Sequence, residues 1–226
     1  MKIIELELKT NKLNENKQFF TQILELDLIE NSENYFSVQI GWTKLKFITS
    51  DQENIYHYSF LIPKNQLQNA YNWMKNKVEI LETEKNNVFS NFEAWNAKSF
   101  YFYDGSNNLA EMIIHANLDN ECYQPFDASS ILGISEIGLP TLEIEEINQQ
   151  IEDVTNSKFW KGDFDAFGTN GSDEGKILLP NYNIKKTWYP TEIKIKSAPF
   201  RAIINVENKT YKLAFNNQQL EINNYV

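Results

Sequence analysis

One cysteine, Cys122, and two histidines in 226 residues set the first limits on what this chain can do. A lone cysteine excludes an intrachain disulfide and any multi-cysteine zinc site, and it fits a reducing compartment. Glycine and proline are scarce, eight and six residues, and no Pro/Gly-rich or repetitive tract argues for disorder, so the whole chain is expected to fold. Nowhere do about 18 apolar residues run together, so no helical membrane span is expected. Residues 1–10 mix charges with alternating apolar side chains and lack the basic start and unbroken apolar run of a signal peptide. Basic residues are also in deficit. With 21 Lys and Arg against 31 Asp and Glu, the net charge of -10 and the lack of a basic cluster argue against nucleic acid and anionic lipid as partners. A P-loop, a dinucleotide-binding glycine pattern and a nucleophile-elbow serine are all missing, which argues against nucleotide-driven chemistry. These absences point to a cytoplasmic protein.

What is present is a repeated layout. Residues 3–9 alternate as a strand, with Ile4, Leu6 and Leu8 on one face and Ile3, Glu5, Glu7 and Lys9 on the other. Asn14 can cap a following helix in which Phe19, Phe20, Ile23 and Leu24 recur at helical spacing, and strand-like runs follow at 35–40 and 44–48. The order then recurs. A strand at 55–62 precedes a helical stripe of Leu67, Ala70, Tyr71 and Met74, then runs at 78–81, 92–95, 99–103 and 109–114. The spacing therefore predicts an α+β fold of paired β-α-β-β-β modules over residues 1–118. Residues 119–130 read as a linker. Residues 131–226 read as a third, degenerate and mostly β module, with a strand at 134–140, a helix at 143–154, strands at 163–167 and 176–179, and a hairpin across 201–215.

Phe100 to His115, FYFYDGSNNLAEMIIH, resembles the closing hairpin of the vicinal oxygen chelate superfamily, which includes glyoxalases, bleomycin resistance proteins and extradiol dioxygenases. The stretch YHYSF at 56–60 is similar to the strand opening that superfamily's second module, and QFFTQILEL at 18–26 to the end of its first helix. The resemblance implies a cupped mixed sheet holding a divalent metal. It places the ligands on Glu5, His57 and Glu111, the first departing from the commoner histidine. Lys46 and Phe47, near the place of a fourth family ligand, offer no donor.

A neutral imidazole with two carboxylates suits Fe(II), Mn(II) or Zn(II) and leaves open positions for vicinal oxygens of a substrate. Glu111, between apolar neighbours, needs a partner if it faces inward, and with His115 it is a candidate catalytic residue. A surface placement competes for His115, and Glu5 followed by Glu7 on one face also reads as a solvated stripe. Trp95, Asn96, Tyr101 and Tyr103 are candidates for the substrate pocket, with an ordinary core role competing for the aromatics. The resulting expectation is a divalent-metal-dependent dioxygenase, lyase or isomerase. The alternative is a metal-free small-molecule binding protein of the bleomycin-resistance kind. Residues 131–226, which contain no histidine, are expected to pack against the cup or to support assembly, a homodimer included, and to carry no catalytic residue of their own.

Overall fold

The computed structural model describes residues 1–225. Its first module runs β1 (Lys2–Thr10), α1 (Leu13–Gln18) with a π turn (Phe19–Ile23), β2 (Leu28–Asn31), β3 (Tyr35–Ile40) and β4 (Thr43–Thr49). The last strand returns parallel to the first, giving the order β1-β4-β3-β2. Asn14 lies inside α1 and does not cap it. The second module repeats this order with β5 (His57–Leu61), α2 (Leu67–Met74), β6 (Ser90–Phe92), β7 (Ala97–Tyr103) and β8 (Leu109–His115). Residues 78–81 form no strand, and Leu81 is tied by its amide to the Tyr101 carbonyl at 2.9 Å.

The third module is complete where a partial one was expected. It comprises β9 (Gly133–Gly138), α3 (Ile144–Thr155), β10 (Phe159–Gly162), β11 (Phe167–Ser172) and β12 (Gly175–Pro180), again with the last strand parallel to the first. Residues 163–166 are the turn between β10 and β11, where the Asp163 carboxylate accepts the amides of Asp165 and Ala166, so no strand forms there. A strap, residues 181–199, then leads to β13 (Phe200–Val206), β14 (Lys209–Asn216) and β15 (Gln219–Asn224). These form an antiparallel meander in place of a fourth module.

Each opening strand has one free edge, and the partner chosen for that edge decides the architecture. β5 pairs antiparallel with β9, which joins modules two and three into an eight-stranded sheet, β10-β11-β12-β9-β5-β8-β7-β6. β1 pairs antiparallel with β13, which joins module one and the meander into a seven-stranded sheet, β15-β14-β13-β1-β4-β3-β2. Residues 1–118 therefore do not close a cup by themselves, and residues 131–226 complete both sheets. Local periodicity fixes which residues form a strand but carries nothing about which distant strand covers its edge.

Between the sheets lies one shared core holding the helices. Phe20 packs on Phe36 and Phe47 of the seven-stranded sheet and on Phe60 of the eight-stranded one, and Phe19 stacks on Phe102. All six rings are essentially buried, each worth about 1.5–3 kcal/mol relative to exposure. Thr43 bridges the sheets directly. Its hydroxyl donates to the Ile3 carbonyl at 2.7 Å and accepts the Ile134 amide at 2.9 Å. Gly41, at φ 50°, allows this approach, because a Cβ there would stand 1.9 Å from the Leu132 carbonyl oxygen.

A chain ending at Asn117 would strip β9 from β5 and β13 from β1, leaving two long apolar edges bare. We expect it to aggregate or to lose its near-ultraviolet circular dichroism. A soluble monomer with native-like tertiary signal, seen by gel filtration and dichroism, would contradict this pairing.

Candidate metal centre

The site forms where the opening strands of modules two and three meet. Along β5 the side chains alternate, Tyr58 and Phe60 entering the core while His57, Ser59 and Leu61 face the concave side. Parallel pairing sets Leu109 opposite His57 and Glu111 opposite Ser59. On the other side, antiparallel pairing sets Glu136 of β9 opposite Ser59. The register slips by one at Ser135, a bulge that turns Glu136 into the cup. β12 then places Lys176 beside Glu136. Register thus gives Lys176 in module three the station that Glu111 holds in module two.

These groups make one buried network. One ligand atom from each of His57, Glu111 and Glu136 lies within 4.8 Å of the others. The His57 Nδ1 stands 3.0 Å from the Leu109 carbonyl, so it carries the hydrogen and Nε2 presents a lone pair toward Glu111 Oε2, 3.4 Å away. Ser59 Oγ lies 2.7 Å from both Glu111 Oε2 and Glu136 Oε2. A hydroxyl has one hydrogen and can donate to only one of them, so the second bond requires a proton on a carboxyl. Lys176 Nζ is 3.3 Å from Glu136 Oε1 and 2.9 Å from His115 Nε2, with the Trp160 ring centroid 4.9 Å away. Glu111 Oε1 is buried and, among the described residues, makes no hydrogen bond, with Tyr101 opposite it on β7.

Electrostatics divides the two carboxylates. Burial and the adjacent Glu136 charge push Glu111 up to about 8, so it holds the proton that Ser59 requires. Burial also acts on Glu136, but the Lys176 charge beside it, together with the Ser59 bond, outweighs it and holds this carboxyl below its usual range. Burial lowers His57 despite Glu136, so its imidazole is neutral, as a ligand must be. His115 is brought down to about 4 by burial and then by Lys176.

Of the residues expected from sequence, His57 and Glu111 converge here and Glu5 does not. Glu5 is half-buried in the seven-stranded sheet, facing Lys44 and Ile203. Glu136 is its repeat counterpart, since each follows a bulged residue, Ile4 or Ser135, and each pairs in register with a lysine. Glu136 thus comes from residues 131–226, where the sequence reading placed no site residue. His115 is fully buried behind the cup against Lys176, and its Nδ1 lies 3.1 Å from Asp173 Oδ1. Trp95 and Tyr101 line the cup. Asn96 is exposed in the left-handed conformation that ends a 3-10 turn, and its amide donates to Asn117. Tyr103 packs with Leu109, Trp188 and Ile195 outside the cavity lining.

The cavity above the triad has a volume of about 230 Å³, and its walls include Phe92, Trp95, Tyr101, Phe167, Trp188 and Tyr189. Trp188, from the strap, sits 5.0 Å from the His57 ring. It fits because position 138 is glycine, where a Cβ would come within 2.7 Å of its indole. Lys176, Trp188 and Lys185 escaped sequence reading. Only Lys176 left a signal, a lysine beginning the otherwise apolar run Ile177-Leu178-Leu179.

No family model matches the chain, and no curated protein matches its sequence. Among solved structures, a candidate dioxygenase from Bacillus subtilis subsp. subtilis str. 168 aligns over 97% of this chain and 83% of its own, at TM-score 0.60 and 13% identity. A glyoxalase/bleomycin resistance protein/dioxygenase from Alicyclobacillus acidocaldarius aligns over 51% of this chain and 92% of its own, at TM-score 0.43 and 19% identity. Lactoylglutathione lyase from Agrobacterium tumefaciens aligns over 50% and 92%, at TM-score 0.41 and 14% identity. The Bacillus likeness spans nearly the whole chain and shows the fold, α+β with repeated β-α-β-β-β modules in two mixed sheets.

Glu111 gives the metal-free protein a specific pH dependence. Its folded value, about 8, lies above its ordinary 4.5, so its contribution is complete below about 4.5 and is lost as pH rises to 8. The slope is at most about 1.4 kcal/mol per pH unit. His115, depressed to about 4, acts oppositely between 6.5 and 4, so the two offset in acid and the decline emerges between 6.5 and 8. Chemical denaturation at pH 6.5 and 8 should show wild type losing more stability than Glu111→Gln. Equal losses would mean that Glu111 is not the proton holder.

Proposed function

We propose that the chain is a divalent-metal-dependent enzyme acting on a small molecule with adjacent oxygens, with His57, Glu111 and Glu136 as the metal ligands. The observation that carries this is their convergence around one point, with the His57 tautomer fixed by Leu109 and Glu111 Oε1 left without a partner. One imidazole and two carboxylates suit Mn(II), Fe(II) or Zn(II), and three protein donors leave positions for substrate. An ion bound there would supply Lewis-acid polarisation of two neighbouring substrate oxygens.

The chain's own groups do the rest. Ser59 orients both carboxylates, and Lys176 fixes Glu136 through its second oxygen. Glu111 gives up its proton when it becomes a ligand, so uptake of the ion below pH 8 releases a proton. Aromatic walls and the strap give the cup a mainly apolar lining. A metal-free binding protein is the competing reading, and Lys176 favours it, because an ammonium already neutralises Glu136 without an ion.

Elemental analysis and calorimetric titration with Mn(II), Fe(II) and Zn(II) decide between them. Wild type should hold about one ion per chain. His57→Ala and Glu136→Gln should each weaken binding by at least the roughly 10- to 100-fold that loss of a mere supporting group costs. Glu5→Gln should leave it unchanged. Absence of stoichiometric metal in the wild type after reconstitution would favour the binding protein.

A further inference from the structure

The cup has a second polar feature that the metal triad does not use. Lys185, in the strap, lines the same cavity as His57, Glu111 and Glu136. It is half-buried, and its Nζ lies 4.6 Å from the centroid of the Phe167 ring, itself a cavity wall. Among the described residues its ammonium makes no ion pair and no side-chain hydrogen bond. Asp163 is the nearest acid to influence it, but that carboxylate accepts amides of its own turn and stands beyond ion-pair distance. Lys185 and the triad line one cavity, so a single bound molecule can reach both.

A partly desolvated cation without a counter-ion, at the wall of an aromatic cavity, is a place for an anion. The other walls specify what carries that anion. Phe92, Trp95, Tyr101, Trp188 and Tyr189 present ring faces and edges, and about 230 Å³ admits one ring with a short substituent. Trp188, packed against His57 and Gly138, forms one wall of that space.

We propose that the cup binds a single-ring aromatic carboxylate, with Lys185 as the specificity-determining residue that receives the carboxylate. The proposal deepens the reading of this cup as a small-molecule site, but it does not require the metal. Lys185 selects the charged substituent, the aromatic walls select the flat ring, and the end of the cup at His57, Glu111 and Glu136 is left for the ring's reactive oxygens.

The test uses the full chain, stripped of metal by chelation, with benzoate, its neutral isostere benzamide and the non-planar anion cyclohexanecarboxylate as probes. Binding is read by calorimetry and by the fluorescence of Trp95 and Trp188. Benzoate should bind about tenfold more tightly than either of the others. Lys185→Met should remove about tenfold from benzoate affinity and leave benzamide unchanged, while Lys185→Arg should retain benzoate binding. Dichroism and thermal midpoints of both variants control for folding. Equal affinity for benzoate and benzamide, an equal loss of both in Lys185→Met, or no binding of benzoate would overturn the proposal. None of these probes has vicinal oxygens, so their failure leaves the metal assignment standing. Loss of metal stoichiometry with benzoate selectivity intact would sink the metal assignment alone.

Discussion

Two carboxylates buried on either side of one hydroxyl cannot both stay ionised without cations, and the eight-stranded sheet is organised around that constraint. Placing a bare carboxylate in such surroundings costs several kcal/mol. The chain answers differently on each side. Glu136 keeps its charge because β12 sets Lys176 directly beside it, and the lysine is in turn held by His115 and the Trp160 face. Glu111 has no such lysine and keeps its proton. Both answers follow from strand register, since Ser59 faces Glu111 across β8 and Glu136 across β9. A slip of one residue in either pairing would turn a carboxyl into the hydrophobic core.

Module one shows what the same register does without a matching partner. Glu5 pairs with Lys44 as Glu136 pairs with Lys176, each beyond a bulge in the opening strand. Yet the strand facing Glu5 is β13, which brings Ile203 and Arg201 and no imidazole or second inward carboxyl. Glu5 remains half in solvent, Lys44 turns to Glu30, and Arg201 pairs with Glu7 at a partly exposed position. A glutamate in the right place on an opening strand is therefore insufficient. The module across the edge supplies the rest.

This explains how far the sequence could be read. Period-two alternation marked β1, β3, β4, β7 and β8, helical spacing marked α2 and α3, and the order of these elements disclosed the repeat. His57 and Glu111 were placed by the family resemblance, and the structure brings them together because they belong to a single module in which β8 returns beside β5. Glu136, the second carboxyl of the cluster, was not legible, because Glu5 and Glu136 sit in near-identical local patterns and only the long-range choice of β9 as partner of β5 separates them. His115 was read as a candidate catalytic residue with a surface placement competing, and Lys176 only as the start of a strand, whereas the structure buries the two against each other.

The strap links these two levels. Residues 181–199 are the covalent path from the eight-stranded sheet to the seven-stranded one, and they also supply Lys185, Trp188 and Tyr189 to the cup. Its course is fixed at several points. Lys186 and Ile195, and Trp188 and Ile193, exchange backbone bonds that fold it on itself, Tyr189 meets Ser90 through its hydroxyl, and Tyr56 donates to the Pro199 carbonyl at 2.6 Å. Tyr56 directly precedes His57, so the residue that anchors the end of the strap also sets the start of the strand carrying His57 and Ser59. The meander β13-β14-β15 then holds that end against β1. The seven-stranded sheet thus contributes to the site without supplying a ligand, by fixing the strap that shapes and charges the cavity over His57, Glu111 and Glu136.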